Sequence, residues 1–267
     1  MKKSSKNRLT LHQQDLFPGD KLFDKIARVV CRAGVLPRKE LHEAWEVARR
    51  VRRRYRGGRV VELACGHGLL AHIMLLLDDS SRTAVAVDRK LPPSAEKLSR
   101  ELIASWPRLE DRIVYRNISV QETVILPGDM VVSAHACGAL TDEVLAKAVE
   151  QRARVAVLPC CHDLKLSDTD GLGGWMDKTL AVDVVRAVRL SQRRPRRCTV
   201  TRAGRSRRRV MPAATGTNSM ITSCTAMVPT GASTLRCGPA NSVKPALHST
   251  GMAAIAARLD TAVKVTD

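Results

Sequence analysis

Aromatic residues are scarce in this chain. Phe, Tyr and Trp make up 3% of its 267 residues, and the last of them is Trp175. Beyond that point a core would have to form without the large flat side chains that dominate buried packing. Long apolar runs are also missing. None approaches the roughly 20 residues that a membrane-spanning helix needs, so a membrane protein is not expected. The basic start Met1-Lys2-Lys3-Ser4-Ser5-Lys6 leads into no apolar signal core, which argues against secretion. Eight cysteines are too few for a disulfide framework at this length, and the simpler reading is a reduced, cytoplasmic protein. Acidic residues all but vanish late in the chain. Residues 191–267 carry 13 Lys/Arg against 2 Asp/Glu, whereas residues 1–190 carry 32 against 24, so more than half of the net charge of +19 lies in the C-terminal part. Such a charge suggests a polyanionic partner.

What is present before the break near Ser191 is an alternation of helix and strand signals. Leu22, Ile26, Val29 and Val30 have helical spacing, and Glu40 to Arg56 reads as a second helix with Leu41, Trp45 and Ala48 on one face. Gly57-Gly58 stops it, after the basic run Arg49 to Arg54. That run suits either phosphate contacts or a solvated helix C-terminus. Strands follow at Arg59–Ala64, Thr83–Val87, Ile113–Asn117, Met130–Ser133 and Val155–Leu158, with helices at Gly68–Leu77, Ser94–Ser105, Asp142–Gln151 and Leu180–Leu190. The order predicts an α/β fold, a doubly wound and mostly parallel sheet with helices on both faces. Three parts are expected: a helical lead-in over 1–56, the α/β domain over 57–190, and a basic tail of low order over 191–267.

The stretch Val60-Val61-Glu62-Leu63-Ala64-Cys65-Gly66-His67-Gly68 carries the chemistry. A strand runs into a glycine turn that opens a helix, and glycine there permits a tight turn and a close backbone approach to a ligand. A second acid, Asp88, closes the next strand, where a carboxylate can accept hydrogen bonds from ribose hydroxyls. A dinucleotide site would show a third glycine where Ala71 stands. Glu62-x-x-Cys65-Gly66-x-Gly68 followed by Asp88 resembles the first motifs of class I, Rossmann-like, S-adenosylmethionine-dependent methyltransferases. The resemblance implies S-adenosyl-L-methionine as cofactor. It implies Glu62 near the methionine amino end, Gly66 and Gly68 in the floor beneath the cofactor, Cys65 among the cofactor-binding residues of the same turn, Asp88 on the ribose, and the region of Asn117 flanking the adenine. Ala64 departs from the motif, which often has a glycine there.

Two further turns stand out: His135-Ala136-Cys137-Gly138-Ala139-Leu140-Thr141-Asp142 after the fourth strand, and Pro159-Cys160-Cys161-His162 after the fifth. Neighbouring strands would bring both turns to the carboxyl edge of the sheet. Their pairing resembles the methyltransferase domain shared by a eukaryotic tRNA 2′-O-methyltransferase family and its bacterial relatives, over about 60–190, and this implies RNA as substrate. His135 is the candidate general base for a hydroxyl or amine acceptor, or it only orients the turn. Cys137 or Cys160 as a nucleophile, and a zinc site drawn from His135, Cys137, Cys160, Cys161 and His162, are weaker readings beside plain packing. No metal is expected. Thr141 and Asp142 are expected to cap the following helix.

After Leu190 the sequence offers no convincing strand, only a candidate helix at Ala253–Leu259. A fold of this kind normally closes with two antiparallel strands beside the fifth, so the C-terminal part reads as disordered or incomplete. Residues 191–267 are either out of frame with an ancestral gene or a basic RNA-binding tail. The function expected from the whole is methyl transfer to RNA. The alternative is a non-catalytic, basic nucleic-acid-binding protein that keeps the fold.

Overall fold

A computed structural model of the chain describes residues 8–159, 161–193, 198–202 and 220–224. The remainder of the basic tail, including the helix expected at Ala253–Leu259, lies outside the described residues, and so does Cys160.

Two helices lead in: α1 (Leu22–Ala33), which ends on Gly34 at φ 66°, and α2 (Arg38–Arg54), which starts after Pro37. Strand β1 (Val60–Leu63) and helix α3 (Leu69–Leu76) follow, then β2 (Ala84–Val87), α4 (Ser94–Ser105), β3 (Ile113–Arg116), β4 (Met130–Ser133), α5 (Ala139–Glu150), β5 (Arg154–Val157) and α6 (Lys178–Arg193). Strands β1 and β4 are buried along their whole length, as strands covered on both faces are, and each carries one buried polar residue among apolar ones, Glu62 and Ser133. Strand β3 alternates half-buried Ile113 and Tyr115 with exposed Val114 and Arg116, the pattern of an edge covered on one side.

The five strands pair in parallel in the order β3-β2-β1-β4-β5. The chain builds outward from β1 through β2 to β3, then returns to the other side of β1 for β4. That reversal opens a crevice above the carboxyl ends of β1 and β4. The sheet separates two cores. One face carries Val60, Ala84, Ala86, Met130 and Val132 against α1 to α4, and the other carries Val61, Leu63, Val131, Val155 and Val157 against α5 and α6. Each fully buried Leu, Ile or Val contributes about 1.5–3 kcal/mol to holding the layers together.

Beyond α6 the structure departs from the sequence reading. Two short strands are present, β6 (Cys198–Arg202) and β7 (Met220–Cys224). Strand β7 pairs antiparallel with β5 and with β6, which extends the sheet to seven strands. The β-branched cores Thr199-Val200-Thr201 and Ile221-Thr222 favour strands, but their arginine- and serine-rich flanks hid them. No helix among the described residues is long and apolar enough to cross a membrane.

Candidate functional site

The β1–α3 turn is left-handed at three positions: Ala64 at φ 53°, Gly66 at 53° and Gly68 at 74°. The Cys65 amide donates to the Val87 carbonyl at 2.9 Å and the Gly68 amide to the Cys65 carbonyl at 2.9 Å, which closes the turn against β2. The Gly66 amide then donates to Asp88 Oδ2 at 2.9 Å. Asp88 Oδ1 accepts the Lys90 amide at 3.0 Å. The glycine turn and the second acid are therefore joined directly. A Cβ on Gly66 would meet no atom within 4 Å, so this residue borders open space, whereas one on Gly68 would lie 2.7 Å from Tyr115 Oη. The Tyr115 hydroxyl donates to the His67 carbonyl at 3.0 Å and props the turn from β3.

Glu62 is buried on β1, and its Oε2 accepts the Ala71 amide at 2.7 Å. Helix α3 begins on Gly68, which has no side chain to cap it, so Glu62 satisfies one of the orphan amides of the first turn instead. Burial pushes the Glu62 carboxyl up to about 8, helped by the charge of Asp88 and opposed by the Ala71 bond. Burial likewise raises the Cys65 thiol, which stays protonated. His72 is buried behind the turn, with Nδ1 2.7 Å from the Gly68 carbonyl and Nε2 3.3 Å from Ser99 Oγ. Burial holds its imidazole down to about 4, so at neutral pH Nδ1–H donates to that carbonyl.

Two hollows flank the turn. The larger, about 320 Å³, is lined by Ala64, Asp88, Ile118, Val120, Leu140 and Glu143, and its walls are mostly apolar. The smaller is lined by Glu40, Glu62, Cys65, His67 and His135. Of the site residues expected from sequence, Glu62, Cys65 and His135 line the smaller hollow and Asp88 the larger, with Gly66 bonded to Asp88 and Gly68 in the same turn. Asn117 is exposed, and its Oδ1 accepts the Leu91 amide at 3.0 Å. The residues that follow it, Ile118 to Gln121, line the larger hollow. Glu40, from the lead-in helix, was not legible in the sequence, because only the packing of α2 over the turn brings it there.

The two cysteine–histidine turns meet. The Gly138 amide donates to the Cys161 carbonyl at 3.0 Å. The expectation that Thr141 and Asp142 cap α5 is corrected: the helix starts earlier, at Ala139, and no side chain caps it. The Thr141 hydroxyl donates instead to the Ala136 carbonyl at 2.6 Å, and Asp142 pairs with Arg186. His162 Nε2 lies 2.8 Å from Asp183 Oδ1 on α6. Among the described residues, no three His, Cys, Asp or Glu side chains are grouped to hold a metal ion.

The basic run of α2 divides by environment. Arg49 and Arg50 pair with Glu46, and Arg53 and Arg54 are exposed. Arg52 is buried against Asp78 at 3.0 Å, Ser81 at 2.8 Å and the Met74 carbonyl at 3.1 Å. It is a structural pin rather than a solvated helix end.

Residues 39–167 match the family model described as a methyltransferase domain. Among solved structures, the chain is similar to a SAM-dependent O-methyltransferase from Thermotoga maritima, with 14% identity, a TM-score of 0.45, and 79% of this chain and 73% of that one covered. It is similar also to an O-methyltransferase family protein from Burkholderia thailandensis, with 15% identity, a TM-score of 0.45, and 80% and 62% covered. A third, a ribosomal protein L11 methylase from Lactobacillus delbrueckii subsp. bulgaricus, shows 11% identity and a TM-score of 0.43, with 71% and 80% covered. No curated protein matches the chain.

Proposed function

We propose that the chain binds S-adenosyl-L-methionine across the Ala64–Gly68 turn and transfers its methyl group to RNA. The observation that carries this reading is the contact between the Gly66 amide and the Asp88 carboxylate, with a hollow on either side of it. The residues fit the cofactor. Gly66 leaves open space where any side chain would intrude, and Asp88, after taking two backbone amides, keeps acceptor capacity for ribose hydroxyls. The apolar walls Ile118, Val120 and Leu140 suit a flat base. Glu62 lines the smaller hollow, and its buried carboxyl, protonated without a cation beside it, gives up that proton to pair with a cationic amino group. When bound, the cofactor supplies an electrophilic methyl group on a sulfonium.

His135 lines the same smaller hollow. Its imidazole takes the proton that a hydroxyl acceptor loses, while the crevice holds the acceptor oxygen in line for attack. RNA as the acceptor rests on the net charge of +19 and on the likeness of the paired turns to the tRNA 2′-O-methyltransferase domain. That likeness favours a ribose hydroxyl.

Calorimetry with S-adenosylhomocysteine tests the cofactor site. Saturable binding is expected, weakened about a hundredfold in Asp88→Ala as two charge-assisted hydrogen bonds are lost. Transfer of label from the methyl donor to total RNA, and not to total protein, tests the acceptor. It is expected to fall in His135→Ala by about 10²-fold or more. A folded chain that binds RNA but no S-adenosylhomocysteine would instead be a nucleic-acid-binding protein that has kept the fold.

A further inference from the structure

Helix α6 lies outside the crevice, yet one of its side chains holds the turn that leads into the crevice wall. Arg186 is 5% exposed, and its guanidinium makes a two-pronged pair with Asp142, Nε to Oδ1 at 2.8 Å and Nη2 to Oδ2 at 2.8 Å. Nη2 also donates to the Gly138 carbonyl at 3.1 Å. Gly138 sits at φ 59°, ψ −128°, a conformation closed to residues with a Cβ. Its two backbone groups are both held, the amide by Cys161 and the carbonyl by Arg186. One helical turn before Arg186, Asp183 holds His162, and Arg186 Nη1 reaches the same Asp183 oxygen at 3.5 Å. A single face of α6 thus fastens both cysteine–histidine turns.

Stability alone gives little reason to bury the guanidinium, because its desolvation offsets much of the attraction to a half-exposed carboxylate. Placement gives a reason. The turn that Arg186 fixes carries His135 on the wall of the smaller hollow and leads directly into Leu140 and Glu143 on the wall of the larger. A planar guanidinium that binds a carboxylate in two places and a carbonyl in a third sets position and angle together.

We infer that Arg186, through Asp142 and Gly138, is a positioning residue that sets the His135–Glu143 wall of the cofactor crevice. The inference rests on the proposed binding of S-adenosyl-L-methionine there. The test uses the full chain, with S-adenosylhomocysteine as probe, in wild type, Asp142→Asn, Arg186→Lys and the double variant. Each single variant is expected to bind about tenfold more weakly, since small displacements of a wall are felt directly by the ligand. The double variant should bind no worse than the weaker single one, because the two side chains act as one device. Asp142 is 51% exposed on its side chain, so Asp142→Asn keeps the fold even if Arg186→Lys does not. Its melting temperature is expected to stay within about 2 °C of wild type while its affinity drops. A role in stability alone would move the two together. If wild type binds and a folded Asp142→Asn binds equally well, the inference is overturned and the cofactor site stands. If wild type itself fails to bind, the cofactor reading falls and this inference with it.

Discussion

The buried carboxyl of Glu62 accepts the amide of Ala71 at 2.7 Å, so the end of β1 satisfies an amide in the first turn of α3. This contact ties the strand, the glycine turn and the helix into one unit, and it gives the site a dependence on pH. Burial holds the Glu62 carboxyl at about 8, against an ordinary value of 4.5. The folded chain therefore keeps a proton that the unfolded chain releases. The stability this confers is fully present below 4.5 and is lost as the pH rises toward 8. Glu62→Gln, which cannot ionise, is expected to match wild type in urea unfolding at pH 5 and to exceed it by about 2 kcal/mol or more at pH 8. A cationic amino group beside Glu62 would draw that proton off. Affinity for S-adenosylhomocysteine should then rise between pH 6 and 8 in wild type and stay level in the variant.

His72 gives the opposite slope. Burial depresses its imidazole to about 4 from 6.5, so the unfolded chain takes up a proton that the folded one refuses. Stability is full above 6.5 and is lost as the pH falls toward 4, by about 2–3 kcal/mol from this group. Urea midpoints measured from pH 7 to 4 should fall more steeply in wild type than in His72→Gln. Parallel slopes would show that the imidazole is not held neutral.

Ala64 occupies a left-handed position at φ 53°. A Cβ there costs about 1–2 kcal/mol, and glycine gives part of this back through its larger unfolded-state entropy. Ala64→Gly is expected to stabilise the chain by about 1 kcal/mol, seen as a higher urea midpoint at unchanged slope.

Neighbouring arginines of α2 should behave differently. Arg52→Met removes the nearer and buried one of the two arginines that face Asp78, Arg56 being the other at 3.8 Å, and is expected to cost about 3 kcal/mol. Arg53→Met, on the exposed side of the same helix end, should stay within about 0.5 kcal/mol of wild type. Equal losses in thermal unfolding would contradict the burial that separates them.

The strands β1 to β5 could be read from the sequence because short apolar runs bounded by glycine, proline and acidic residues are local signals. The pairing of the glycine turn with Asp88 could be read for the same reason: each lies at the end of its strand. The start of α5 could not, because it depends on the conformation of Gly138, which a partner outside the turn holds. Arg186 and Tyr115 were invisible as site residues. Their partners lie 44 and 48 positions away, and nothing in local spacing announces such contacts. Strands β6 and β7 escaped because pairing, of β7 with β5 and of β6 with β7, rather than an apolar pattern of their own, defines them.

The Asp88 carboxylate already has a backbone amide on each oxygen, from Gly66 on one side and Lys90 on the other. The acid and the turn are thus locked in mutual register before any guest arrives. Loop ordering, which would otherwise weaken association, is completed during folding. Capture of a nucleoside at this lip should therefore be fast and show little structural rearrangement.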